Sequence, residues 1–154
     1  MKFKDVSNCD FQGIIASFIR EFETQLAQYD RVVYFECDEV DNSVDCKMHD
    51  TPCQVDIIGH ITVYWGDMMK LHFTNKEIWA LFAHEIGHLV NNAISPYPDI
   101  RKEYVADDMA CQLGLKEQMV FALSKMMNSN YYSVEQKNGM ENRINRLMKP
   151  KSSS

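Results

Sequence analysis

The residues of this chain best suited to chemistry are His84-Glu85-Ile86-Gly87-His88, two histidines four positions apart with a glutamate beside the first. They spell H-E-x-x-H inside a stretch, Asn75 to Asn91, that otherwise reads as a helix. Four residues make about one helical turn, so both imidazoles leave the same side of the helix and can share one ion. Glu85 then sits next to that ion without binding it, placed to draw a proton from a water molecule.

Tetrahedral zinc with an open catalytic position needs a third protein ligand, and two histidines with one glutamate are a recurring set. The segment Glu103-Tyr104-Val105-Ala106-Asp107 supplies a glutamate and an aspartate, again one helical turn apart. The five histidines are His49, His60, His72, His84 and His88, and none follows His88. A third histidine downstream, as in H-E-x-x-H-x-x-G-x-x-H, is therefore excluded. The remaining candidates are carboxylates: Glu103 first, then Asp99, Asp107 or Asp108. Asp99 follows Pro98 and reads as a helix cap. Glu103 is thus the expected ligand, with Asp107 pointing the same way to accept the outer N–H of a ligating imidazole and fix its tautomer.

These two segments together resemble the gluzincin metallopeptidases, and within them the HtpX-like branch and its small soluble relatives, the minigluzincins. The similarity extends to the lead-in Thr74-Asn75-Lys76-Glu77-Ile78-Trp79-Ala80 and to Asn142-Arg143-Ile144-Asn145-Arg146-Leu147, which matches that branch's R-I-x-x-L segment. With gaps, it spans Ile57 to Leu147. It departs from the branch in the short spacing between the two motifs, in lacking a membrane span and in having no H-P pair ahead of Arg143. The resemblance implies a zinc-dependent endopeptidase with one Zn2+ per chain and a peptide or protein as substrate. His84, His88 and Glu103 would hold the metal, and Glu85 would activate a metal-bound water to hydrolyse the peptide bond. For the donor that steadies the developing oxyanion, Arg143, Tyr131, Tyr132, Tyr97, His60 and His72 all stay open. The same ligands would also serve a catalytically silent binding module of this fold, or a regulatory protease specific for one protein partner.

At 154 residues the chain reads as one domain, residues 1–148, followed by a disordered tail, 149–154. Its 45% hydrophobic and 25% charged residues are ordinary for a soluble globular protein. A net charge of −6 argues against nucleic acid or an anionic membrane as the main partner. No apolar run is long enough to span a bilayer, and Met1 to Asp5 lacks the apolar core of a secretion signal. Five cysteines without such a signal favour reduced thiols and a cytoplasmic location. Cys37, Cys46, His49 and Cys53 fall close in sequence, although their spacing matches no compact metal-binding pattern.

The elements that must position the motif follow from periodicity and punctuation. Phe11, Ile14, Ile15, Phe18, Ile19, Phe22 and Leu26 make an amphipathic helix of residues 10–29. Residues 31–37 read as a strand, 38–54 as an acidic loop and 55–65 as a second strand, with Gly59 marking a bulge or a close backbone approach. The gluzincin resemblance implies that this second strand forms the edge of the sheet. Thr74 and Glu77 form a capping box that opens the histidine helix. Gly87, between the two histidines, would let another segment approach closely. Pro96 and Pro98 reverse the chain before a helix of residues 100–113 that ends at Gly114. Two further helices, 115–128 and 134–148, place Met119, Met126 and Met127 in the core. The expected fold is α+β: a small sheet of a few strands packed on an N-terminal helix and a zincin-type active-site helix, followed by a mainly helical C-terminal half.

Overall fold

A computed structural model of the chain describes residues 1–4, 8–43 and 45–150. Its strands are β1 (Lys2–Phe3), β2 (Val32–Glu36), β3 (Cys53–Val55) and β4 (His60–Val63). Its helices are α1 (Ile14–Leu26), α2 (Trp65–Lys70), α3 (Asn75–Val90), α4 (Ile100–Gln112), α5 (Lys116–Met127) and α6 (Val134–Met148). The class is α+β, with one four-stranded sheet in the order β1-β2-β4-β3 and a mainly helical C-terminal half. The neighbours β1, β2 and β4 run parallel, and β3 is antiparallel to β4.

Alternation decides which face of the sheet is covered. Val33 and Phe35 of β2, and Ile61 and Val63 of β4, are buried, while their neighbours along each strand are not. Against this face lies α3, and against α3 lies α1 with Ile14, Ile15, Phe18, Phe22 and Leu26 turned inward. The Phe82 ring joins the layers, meeting Phe18 at 5.5 Å, Phe35 at 5.1 Å and Trp65 at 6.3 Å. Edge-to-face pairs of this kind contribute about 0.5–1.5 kcal/mol each beyond the area they bury. The histidine helix is therefore packed on both sides before any site chemistry is considered.

The stretch read as a strand over 55–65 divides instead into three parts. Val55 belongs to β3, Asp56 to Gly59 make a turn, and only His60–Val63 continue as strand. The Asp56 carboxylate forces the turn by accepting the backbone N–H groups of Ile58, Gly59 and His60 at 2.9–3.0 Å. Gly59 does mark a close approach: its φ is +113°, and a Cβ there would stand 2.4 Å from the Val32 carbonyl oxygen. The strand that precedes the histidine helix is also internal, paired with β2 on one side and β3 on the other. The edge falls to β3, which the sequence placed at the end of a loop.

That acidic loop is held down rather than free. Asp67 of α2 is fully buried and accepts the His49 backbone N–H at 3.0 Å, with His49 Nδ1 also 3.0 Å away. The His49 ring lies flat on Tyr64 at 3.6 Å, and its Nε2 faces Asp41 at 3.2 Å. Gly66 makes room, since a Cβ there would meet the Ser43 carbonyl oxygen at 2.2 Å.

Beyond α3 the expected punctuation holds. Thr74 and Glu77 close a reciprocal capping box, Asp99 caps α4 through the Arg101 N–H, and Gly114 leaves α4 at φ +77°. Met119 and Met126 are buried and Met127 is partly so. A second capping box, Ser133 with Gln136, starts α6. Residues 151–154 of the expected tail lie outside the described residues.

Candidate metal centre

The two helices that carry the motif residues touch at Gly87. A Cβ on that residue would stand 2.6 Å from the Ala106 carbonyl oxygen and 2.8 Å from Ala106 Cα. Only a residue without a side chain lets α4 approach α3 this closely, and Ala106 lies between Glu103 and Asp107 on the facing helix. The contact therefore sets both carboxylates against the two imidazoles.

Three ligating atoms converge there. His84 Nε2 is 2.8 Å from Glu103 Oε2, His88 Nε2 is 3.0 Å from the same oxygen, and the two Nε2 atoms are 3.1 Å apart. This group can hold a metal ion, and it is the one such cluster among the described residues. Donor atoms about 2.0–2.2 Å from a common tetrahedral ion would stand about 3.3–3.6 Å apart, so the triangle is tighter than that spacing by roughly half an ångström. Cys37, Cys46, His49 and Cys53 do not come together in this way.

The outer nitrogens assign the tautomers. His88 Nδ1 lies 2.8 Å from the Ala93 carbonyl oxygen. A carbonyl can only accept, so Nδ1 carries the hydrogen and Nε2 keeps its lone pair for an ion. His84 Nδ1 donates to Asp107 Oδ1 at 2.7 Å, so the proton that the metal-free ring also holds is the one on Nε2, and an ion would displace it. Asp107 is fully buried, and its charge is met by Arg143, whose Nη2 donates to Oδ1 at 2.7 Å and whose Nε donates to Oδ2 at 2.9 Å. Arg143 thus grips the carboxylate that orients His84. Burial alone would lower the Arg143 pKa, but the facing Asp107 carboxylate raises it, so the guanidinium stays charged.

The electrostatics differ among the carboxylates. Burial pushes Glu85 above the usual carboxylate range, opposed by the neighbouring His84 and His88. Burial raises Asp107 too, but Arg143 and His84 outweigh it and hold its pKa at about 2. Glu103 is likewise pushed up by burial and drawn far more strongly down by its hydrogen bonds to His84 and His88. For His84, burial and Arg143 favour the neutral ring, while Asp107 and Glu103 reverse the balance and bring it to about 9. Burial thus works against the charge on Glu85, whereas the partners of Asp107 and Glu103 hold those two ionised.

Of the five residues expected to form the site, His84, His88, Glu103 and Asp107 are brought together, and Glu85 is buried beside His84 on α3. No family model, curated protein or solved structure matches the chain. The assignment of the site therefore stands on its geometry.

Two contributors escaped the sequence reading. Arg143, which the sequence offers as an oxyanion donor, is committed to Asp107 instead, with its Nη2 also 3.2 Å from His84 Nδ1. Its helical position alongside the buried Met140, Ile144 and Leu147 is the signal that marks it as inward-facing. Cys53 of β3 lies behind the motif, 1% exposed and with its Sγ 3.9 Å from the Leu81 carbonyl oxygen, one turn before Glu85. Burial and the nearby Glu85 carboxylate push its thiol well above the ordinary range. The other oxyanion candidates are scattered. His60 turns to Asp56 and Glu36, Tyr97 and Tyr131 are exposed, and Tyr132 is buried with its hydroxyl unpartnered among the described residues. His72 takes a left-handed backbone, with its carbonyl accepting from Lys125 Nζ.

Proposed function

We propose that this chain is a zinc-dependent endopeptidase of the gluzincin kind, acting on peptide bonds of polypeptide substrates. The observation that carries the reading is the convergence of His84 Nε2, His88 Nε2 and Glu103 Oε2, with Glu85 next to His84 on α3. The donor set of two imidazoles and one carboxylate suits zinc and leaves a position open. When bound there, zinc supplies Lewis acidity and makes water acidic enough to ionise near neutral pH.

The protein's own groups do the rest. His84 and His88 present lone pairs because Asp107 and the Ala93 carbonyl hold their outer hydrogens. Arg143 keeps Asp107 ionised and fixed. Glu85 takes a proton from water and returns it to the leaving amine, a transfer helped by the burial that lifts its pKa toward neutrality. No helix among the described residues is long and apolar enough to cross a membrane, so the reading needs no bilayer.

The test combines elemental analysis with cleavage of a denatured protein. One zinc per chain, activity lost with a chelator and restored by zinc, is the expected result. Glu85→Gln should keep the zinc and lose about 10²–10⁴-fold in rate. A Glu85→Gln protein with full zinc and full activity would remove the base from the mechanism, and a chain that takes up no metal would remove the reading.

A further inference from the structure

Two of the five cysteines meet each other. Cys37 Sγ lies 3.9 Å from the Cys9 carbonyl oxygen and 3.9 Å from the Asn8 carbonyl oxygen, just beyond the last residue of β2. The Cys9 thiol is raised by burial and by the neighbouring Cys37 thiol. Their exposures differ: Cys9 is 8% exposed, whereas Cys37 is half-buried. Elsewhere the thiols face other groups. Cys46 Sγ is directed at Asp67, 3.8 Å away, and Cys53 Sγ at the Leu81 carbonyl.

The backbone on both sides of the pair is already held in place. The Cys9 carbonyl accepts the indole N–H of Trp65 at 2.8 Å. Next to it, the Asp10 carboxylate accepts the N–H groups of Ile15 and Ala16 at 2.7 and 3.0 Å, tying the turn to the start of α1. On the other strand, Glu36 is in register with Thr62 of β4. Both segments are thus fixed where the Cys37 sulfur already touches the Cys9 backbone, and disulfides form only where the backbone already brings the side chains together.

We propose that Cys9 and Cys37 are a redox-modifiable pair, closing to a disulfide when the folded chain meets a low-molecular-weight disulfide such as oxidised glutathione. The accessible Cys37 starts the reaction. Its thiolate attacks one sulfur of the glutathione disulfide, a sulfur–sulfur bond forms to Cys37, and the first glutathione leaves as thiolate. Cys9 then loses its proton and attacks the Cys37 sulfur, expelling the second glutathione thiolate. Two protein thiols are oxidised by two electrons in all, one glutathione disulfide is reduced to two thiols, and the protons released from the cysteines protonate them. The shielded Cys9 makes the second step the slow one. The resulting bridge spans 28 positions, joining the turn before α1 to the end of β2.

The experiment uses the full chain, folded, in defined mixtures of oxidised and reduced glutathione. Samples are quenched in acid, alkylated and mapped by peptide mass spectrometry. We expect one linked peptide pair, Cys9 with Cys37, two hydrogens lighter than the separate peptides. Emission from Trp65, whose indole is bonded to the Cys9 carbonyl, should fall as the bridge forms and recover with dithiothreitol. Cys37→Ser, at the half-buried position, should leave Cys9 unmodified under native conditions, and Cys9→Ala should stop at a glutathione adduct on Cys37. A lasting adduct on Cys37 of the unaltered chain would overturn the proposal. So would links from either cysteine to Cys46, Cys53 or Cys111, or the absence of any modification.

Discussion

Replacing Gly87 by alanine sets two effects of opposite sign against each other. In an exposed helix interior the change is favourable by about 1 kcal/mol, because alanine restricts the unfolded chain and glycine does not. At Gly87 the new Cβ would stand 2.6 Å from the Ala106 carbonyl oxygen, 2.8 Å from Ala106 Cα and 2.9 Å from Met109 Cβ. Two of these atoms are backbone and cannot rotate away, so α4 as a whole must retreat. Reaching ordinary contact at 3.4 Å from that oxygen requires roughly 0.8 Å of movement. Forced overpacking of a close helix contact costs about 1–3 kcal/mol and exceeds the propensity gain when backbone meets backbone. We expect net destabilisation of about 1–2 kcal/mol by urea unfolding. The same retreat carries Glu103 and Asp107 with it, and a binding site tolerates only about 0.5 Å of misplacement. Zinc affinity, read by competition with a chromophoric chelator, should therefore fall at least about tenfold. Gly139 of α6 has nothing within 4 Å of a notional Cβ, so Gly139→Ala in the same assay should stabilise by up to about 1 kcal/mol. If Gly87→Ala matched Gly139→Ala in sign and left zinc binding unchanged, the close approach of the two helices would be wrong.

Two further outcomes are open to measurement. Arg143→Met leaves the fully buried Asp107 with His84 as its remaining side-chain partner, and breaking one side of a buried ion pair costs about 3–5 kcal/mol. Adding Asp107→Leu should recover part of that loss, and a double-mutant cycle showing no coupling would contradict the pairing. In the chelator-treated protein, His84 is lowered by burial and Arg143 but raised overall by Asp107 and Glu103, from 6.5 to about 9. The fold favours the protonated ring, so this stabilisation is complete below pH 6.5 and disappears as the pH rises through about 9, on the order of 3 kcal/mol in all. Zinc affinity should strengthen across the same window, because the ion displaces that proton. A metal-free stability that climbs between those pH values would refute the assignment.

The helices were legible wherever a local device marks their ends. Thr74 with Glu77, Asp99, and Gly114 bound α3 and α4 within about a residue, as capping chemistry does. The convergent side chains of the candidate metal centre were legible for the same reason: one helical turn separates His84 from His88, and another separates Glu103 from Asp107. The sheet was less so. Cys53-Gln54-Val55 becomes a strand because β4 pairs with it, and three residues after Pro52 carry no pattern of their own. Residues 57 and 58 look like strand by side chain, yet the Asp56 carboxylate captures the backbone N–H groups that a ladder would use. The short helix α2 exists where a buried aspartate fastens a loop beneath it, a long-range event with no local marker. Arg143 was visible, but its task depends on α6 docking against α4, and it lies 36 positions beyond Asp107 in the chain.

The order in which these groups occur along the chain has a consequence for assembly. His84, His88 and Glu103 come from two consecutive helices joined by one short connection, so a fragment ending after α4 already owns every atom needed to capture an ion. The guanidinium that clamps the supporting aspartate arrives only with the last helix. Were an ion to bind, its ligands would come from α3 and α4 alone, whereas the clamp on the supporting aspartate would come from α6. Fraying of that final helix would release the clamp on Asp107 and, with an ion bound, loosen the support of His84 as well.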